Sequence, residues 1–121
     1  MMEHLSMANC LVIVQFPLSK RSEDQAISGA IGTAPTYRGL AEKGLISKHY
    51  LNGDEGTGGV YLWENRKAAE AWFTAERQAM LAERFGAQPV LTFYDTHVIV
   101  DNALGETRVN GHPVKEILAA E

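Results

Sequence analysis

The apolar residues fall into runs whose spacing changes from segment to segment, and that spacing predicts the elements. Cys10-Leu11-Val12-Ile13-Val14-Gln15-Phe16 is β-branched, almost wholly apolar and stops at Pro17. A strand apolar on both sides belongs in the middle of a sheet with both faces covered. Ser22-Glu23-Asp24-Gln25 joins a capping residue to early acids, and Ala26, Ile27, Ala30 and Ile31 follow at helical spacing. A first helix is expected to begin there and to end before Pro35, with an extra helical turn around Tyr37 to Lys43.

The partly alternating Gly44-Leu45-Ile46-Ser47-Lys48-His49-Tyr50-Leu51 reads as a second strand nearer a sheet edge, and Gly58-Gly59-Val60-Tyr61-Leu62-Trp63-Glu64 as a third. Between them Asn52-Gly53-Asp54-Glu55-Gly56-Thr57 is dense in turn formers, so the two strands make a hairpin. Asn65 can cap one second helix, with Ala68, Ala69, Trp72, Phe73, Ala79 and Met80 on a single stripe as far as Gly86. After Pro89, Val90 to Val100 forms a long last strand with a bend expected at Asp95. Beyond it, Gly105 and Gly111 punctuate a polar tail, and Pro113 to Ala120 is expected to form a short helix.

The order strand, helix, strand, strand, helix, strand predicts an α+β fold of the ferredoxin-like kind, with a four-stranded antiparallel sheet. Helices cover one face of such a sheet, yet the first strand is apolar on both. The uncovered face most simply packs on a second copy, which predicts a homodimer. The domain is expected over residues 10–102, with a flexible leader at 1–9 and a C-terminal extension at 103–121.

A chain of 121 residues with 45% hydrophobic content holds one core, and it carries a net charge of -4 with Lys and Arg scattered. Nucleic-acid binders concentrate their basic residues, so no nucleic-acid partner is expected. No apolar run approaches the roughly 20 residues that span a bilayer, and residues 1–9 do not read as a secretory signal, so no membrane partner and a cytoplasmic location are expected. Cys10 is the only cysteine and reads as core filler. The four histidines are too dispersed for a metal spacing and no phosphate-binding glycine motif precedes a helix, so neither metal nor cofactor is expected.

The run Gly44 to Leu51, the glycine-rich turn, Gly58 to Glu64 and then Arg66, Ala68, Ala69, Ala71 and Trp72 together resemble the YdhR-like monooxygenase family. The likeness is sharp over about thirty residues and extends in element order from Cys10 to about Val100. It implies a dimeric α+β barrel in which two four-stranded sheets face each other, each subunit holding a small cavity between sheet and helices. Related barrels include cofactor-independent oxygenases of aromatic polyketides, isomerases and haem-handling proteins, so fold alone does not choose the chemistry. The matched residues are mostly architectural, and none brings a catalytic signature with it.

Candidate site residues come from the hairpin register. With Asn52 opposite Gly58, His49 shares a face with Ser47, Tyr61 and Trp63, while Lys48, Tyr50, Val60 and Leu62 take the other; a slip of one residue regroups them. His49 beside aromatic surface suits the deprotonation of a planar phenol, and His97 in the last strand is a second candidate base. Tyr61, Trp63, Trp72 and Phe16 are candidate pocket walls, and Arg38, next to Tyr37, a candidate oxyanion partner at the cleft mouth. The leading expectation is a cofactor-independent monooxygenase of small phenolic, quinone-forming aromatics. The alternatives are a non-catalytic ligand-binding or structural homodimer, and an isomerase or lyase using the same pocket.

Overall fold

A computed structural model describes residues 7–115. It contains a mixed α+β fold with one four-stranded antiparallel sheet, three α-helices and a separate three-stranded sheet. Strand β1 (Asn9–Phe16) lies between β3 (Gly56–Trp63) and β4 (Val90–Thr96), and β2 (Leu45–Gly53) completes the order β2-β3-β1-β4. The central position read from the apolar run of β1 is what forms.

One face of the sheet is the core. Cys10, Val12, Val14 and Phe16 of β1 and Tyr61 and Trp63 of β3 are buried there with Ala69 and Phe73. Register aligns Val12 with both Tyr61 and Phe93, and Val14 with Gly59 and Leu91, so apolar side chains run in rows across the strands. The opposite face carries half-buried Leu11, Ile13, Val60 and Leu62. Within the single chain, therefore, β1 is fully covered on one side only.

Helix α1 (Glu23–Arg38) starts with the expected capping box: Gln25 N donates to Ser22 Oγ and Ser22 N donates to the Gln25 side chain. It does not stop before Pro35. Proline that late in a helix removes one intrahelical bond in the last turn, and the chain continues to Arg38 and into a 3-10 turn, Gly39–Lys43. The expected apolar stripe of α1 is not buried, with Ile27 50% and Ile31 67% exposed. Away from Tyr37, which packs on the sheet, the helix is largely exposed, and two further hydrogen-bonded contacts tie it to β2. Arg21, just before it, exchanges hydrogen bonds with the Asn52 side chain, and Thr33 Oγ1 lies 2.7 Å from the Tyr50 hydroxyl.

The single second helix of the sequence reading is two helices, α2 (Arg66–Trp72) and α3 (Ala75–Phe85). Asn65 caps α2 as expected, but Phe73 leaves helical geometry to enter the core, and Thr74 caps a new helix by accepting from Arg77 N. Tyr37 of α1, Phe73 after α2 and Phe85 of α3 all pack on the core face, against Tyr61, Trp63 and Phe16.

The β2–β3 hairpin closes with Gly53 opposite Gly56 around a two-residue turn, Asp54–Glu55. Gly56 and Gly58 have φ of 138° and 149°, and a Cβ on either would strike the carbonyl oxygen of Phe16 or Val14 on β1. These two positions accept glycine because the neighbouring backbone fills the space.

The last strand breaks at His97, two residues past the expected bend, and its second half joins another sheet. Strands β5 (Val98–Asp101), β6 (Glu106–Val109) and β7 (His112–Val114) form an antiparallel meander. Pro113 and Val114, expected to open a helix, lie in β7, and Lys115 after them is not helical; residues 116–120 of that expected helix lie outside the described residues, as do residues 1–6 of the expected leader. Register sets Val98, Val100, Val109 and Val114 on one face of the meander, all exposed. On its other face Arg108 pairs with Asp101 at 3.3 Å and Glu106 at 3.7 Å.

Candidate functional site

The hairpin register differs by one residue from the one used to group the site residues. Asn52 pairs with Thr57, so Lys48 stands opposite Tyr61 and His49 opposite Val60. Because side chains alternate along a strand, this slip exchanges the two faces of β2. Lys48 and Tyr50 turn toward the helices, and His49 is exposed on the opposite face with Val60, away from Tyr61 and Trp63.

Lys48 is enclosed by aromatic rings. Its Nζ lies 3.4 Å from the ring centre of Tyr37, 4.1 Å from that of Tyr50 and 4.7 Å from that of Tyr61. The rings come from three elements: α1, β2 and β3. Tyr37 sets its edge against Tyr50 and Tyr61, with centroids 6.3 and 5.7 Å away, and the Thr33 hydroxyl holds the Tyr50 phenol. Among the described residues no carboxylate pairs with the amine. Burial brings its pKa down from the ordinary lysine range to about 7. The ring faces act the other way, attracting the ammonium form whenever it is present. Burial, with the Tyr37 and Tyr50 phenols beside it, pushes the Tyr61 phenol above its usual range, so Tyr61 stays protonated.

A cleft of about 370 Å³ opens beside this cluster, between the end of α1, the 3-10 turn and β2. Tyr37, Arg38, Ala41, Ser47, Lys48 and Tyr50 are among its walls. A larger concavity, about 470 Å³ along Arg21, Asp24, Gln25 and Ser28, is shallow and open and holds no buried ionisable group. The smaller cleft is therefore the candidate site. An aromatic-walled hollow with one amine poised between its two protonation states can take a proton from a phenol, pair with the phenolate, or attack an electrophile.

The other sequence candidates scatter. Arg38 lines the cleft as expected, whereas Tyr61 is buried in the core behind Lys48, its ring centre 4.7 Å from Nζ, and is not among the cleft walls. Trp72 is half-buried and reaches the cluster only through the edge of Tyr37, its other side stacked by the Arg77 guanidinium 3.5 Å away. Phe16 and Trp63 are core residues: Phe16 packs on Phe85 at 4.9 Å, and Trp63 is 0% exposed, its Nε1 without a hydrogen-bond partner. His97 is exposed at the junction of the two sheets, where Nδ1 lies 3.1 Å from Asn110 Oδ1 and its carbonyl accepts from Asn110 N. Cys10 is buried and burial raises its thiol pKa, which fits core filler.

Lys48 and Tyr50 were legible only through the register. Three of the four tyrosines, Tyr37, Tyr50 and Tyr61, converge on one lysine, and the compact Gly53-Asp54-Glu55-Gly56 turn is the signal that aligns Lys48 with Tyr61. Among the described residues no group of three or more His, Cys, Asp or Glu side chains could hold a metal ion, and no helix is long and apolar enough to cross a membrane. No known protein family matches the chain, and no curated protein matches it.

Proposed function

We propose that the chain is a cofactor-independent monooxygenase of small phenolic, quinone-forming aromatics, similar to the YdhR-like family, with Lys48 in the role that the sequence suggested for His49 or His97. The observation that carries this reading is an amine with a pKa near 7, held among three tyrosine rings with no carboxylate partner, at the wall of a cleft. Neutral Lys48 takes the substrate's phenolic proton, and the resulting ammonium pairs with the phenolate. The electron-rich carbon of that anion adds dioxygen to give a hydroperoxide. Loss of water leaves the quinone, with one oxygen atom kept and the other released in water. Tyr37 and Tyr50 form the aromatic wall, Tyr61 backs Lys48 from the core, and Arg38 offers a second cation at the mouth.

The strand order with all helix contacts on one face supports a ferredoxin-like subunit, and the half-buried Leu11, Ile13, Val60 and Leu62 support its pairing with a second copy into a dimeric α+β barrel in the cytoplasm. The test is oxygen uptake by chelator-treated protein on anthrones, hydroquinones and catechols. Uptake that persists with chelator, falls at least about tenfold in Lys48→Met and survives in His49→Ala and His97→Ala supports the reading. No uptake on any of them overturns it.

A second reading, a non-catalytic ligand-binding or structural homodimer, is favoured by the exposed face of Val98, Val100, Val109 and Val114, a surface suited to assembly. An isomerase or lyase would use the same amine without oxygen.

A further inference from the structure

The Lys48 amine has the surroundings of a nucleophile as well as of a base. The groups facing it are Tyr37 from α1, Tyr50 from β2 itself and Tyr61 from β3, and Arg38 lines the same cleft. None of these is a carboxylate that would hold the amine as ammonium. Of the three rings, Tyr37 and Tyr50 line the cleft, and an aromatic wall of this kind suits a planar ring packed against it. The side chain is partly exposed and borders a cleft of about 370 Å³, the route by which a small molecule would approach Nζ.

We infer that Lys48 is a covalent site for aromatic aldehydes, capturing them as an imine within the tyrosine cluster. The Nζ lone pair adds to the carbonyl carbon, the C=O π bond opens, and the nitrogen gives up a proton while the oxygen gains one to become a hydroxyl, which restores the nitrogen lone pair. That hydroxyl leaves as water with a second proton, and the nitrogen lone pair closes the protonated C=N bond. No oxidant or reductant is needed. The step needs a neutral amine. An ordinary lysine is neutral in roughly one molecule in 2500 at pH 7, whereas burial leaves about half of Lys48 in that form, its pKa lying near 7. The inference does not rest on the oxygenase reading, since a chain that consumed no oxygen would still form the adduct.

The chain supplies its own controls in Lys20, Lys43, Lys67 and Lys115. The full-length protein is incubated at pH 7.5 with benzaldehyde and cyanoborohydride, which reduces any imine to a stable secondary amine, and adducts are mapped by peptide mass spectrometry. The expected result is a single early adduct at Lys48, at least about tenfold above any other amine, the α-amino group near pKa 8 included. Propanal shares the benefit of the neutral amine but has no ring to stack, so its preference for Lys48 over the other lysines is expected to be several-fold smaller than that of benzaldehyde, and benzaldehyde is expected to lose much of its preference at pH 10, where the other lysines are also neutral. Label spread evenly over the lysines at pH 7.5, or Lys48 labelled as readily by propanal as by benzaldehyde, overturns the inference.

Discussion

Lys48 stands directly opposite Tyr61 on the β2–β3 ladder, and its Nζ lies 4.7 Å from the centre of that ring. A cross-strand pair of this kind normally contributes a few tenths of a kcal/mol to about 1 kcal/mol of sheet stability. Here the same contact removes a cation from water and gives it no anion in return, so its thermodynamic sign depends on pH.

That dependence is measurable. The folded pKa of Lys48, about 7, lies below the ordinary lysine value of about 10.4, so between those pH values the unfolded chain binds more protons than the folded one. Stability from this group therefore rises with pH across the window and is lost as pH falls through about 7. Lys48→Met is expected to abolish that component and to be more stable than the parent at pH 7 by about 1 kcal/mol, because it replaces a partly buried amine with an apolar side chain of similar length. Urea melts of both proteins at pH 7 and pH 9.5 check it. The stability gap should narrow at the higher pH.

Two glycines of β3 separate folding from site geometry. A methyl group at Gly58 meets the Val14 carbonyl on the adjacent strand, where neither side can yield, so Gly58→Ala is expected to cost about 3 kcal/mol or more. At Gly59 the added atom would lie 3.0 Å from Lys48 Cε and 3.2 Å from the Tyr61 ring. The lysine stem is flexible and can move aside. Gly59→Ala is therefore expected to cost no more than about 1 kcal/mol while shifting the amine from its rings. Melting curves together with the pH dependence of stability distinguish the two substitutions.

Cys10 is expected to be silent toward a thiol reagent such as dithiobis-nitrobenzoate in the native protein and to react with one equivalent in denaturant. It is buried in the core and its thiol pKa is raised, so little thiolate is presented to solvent. Rapid labelling of the native chain at pH 8 would contradict the packing described for β1.

Local chemistry made much of the fold legible. The apolar run of β1, the Ser22 and Asn65 caps and the glycine-rich hairpin each contain their own signal within a few residues. What was not legible depended on distance or on competition between signals. The helical stripe from Ala68 to Met80 continues through Phe73 and Thr74, so periodicity alone hides the break; it arises because Phe73 enters a core built by Tyr61, Trp63 and Phe93. Pro35 has the composition of a stop, but near a C-terminus it removes too little to end the helix. Val98 to Val100 extends the strand pattern of Val90 to Thr96 unbroken, and only the bond from Asn110 to the His97 carbonyl reveals where one sheet gives way to the next. The candidate site was missed for the narrowest reason. Of the residues expected at the cleft only Arg38 lines it, and one step of register on β2 puts the amine where the imidazole is expected.

The Asp54–Glu55 turn thus does more than join two strands. Lys48 and His49 are consecutive, and a strand sends consecutive residues to opposite faces. A single residue added to that turn, with β2 sliding by one to keep the turn at two residues, would bring His49 opposite Tyr61 and send Lys48 to the far face, with no change to either side chain. In evolutionary terms the hairpin carries two alternative chemistries in its genetic text, an amine and an imidazole, and the choice between them is open to insertion and deletion rather than to substitution.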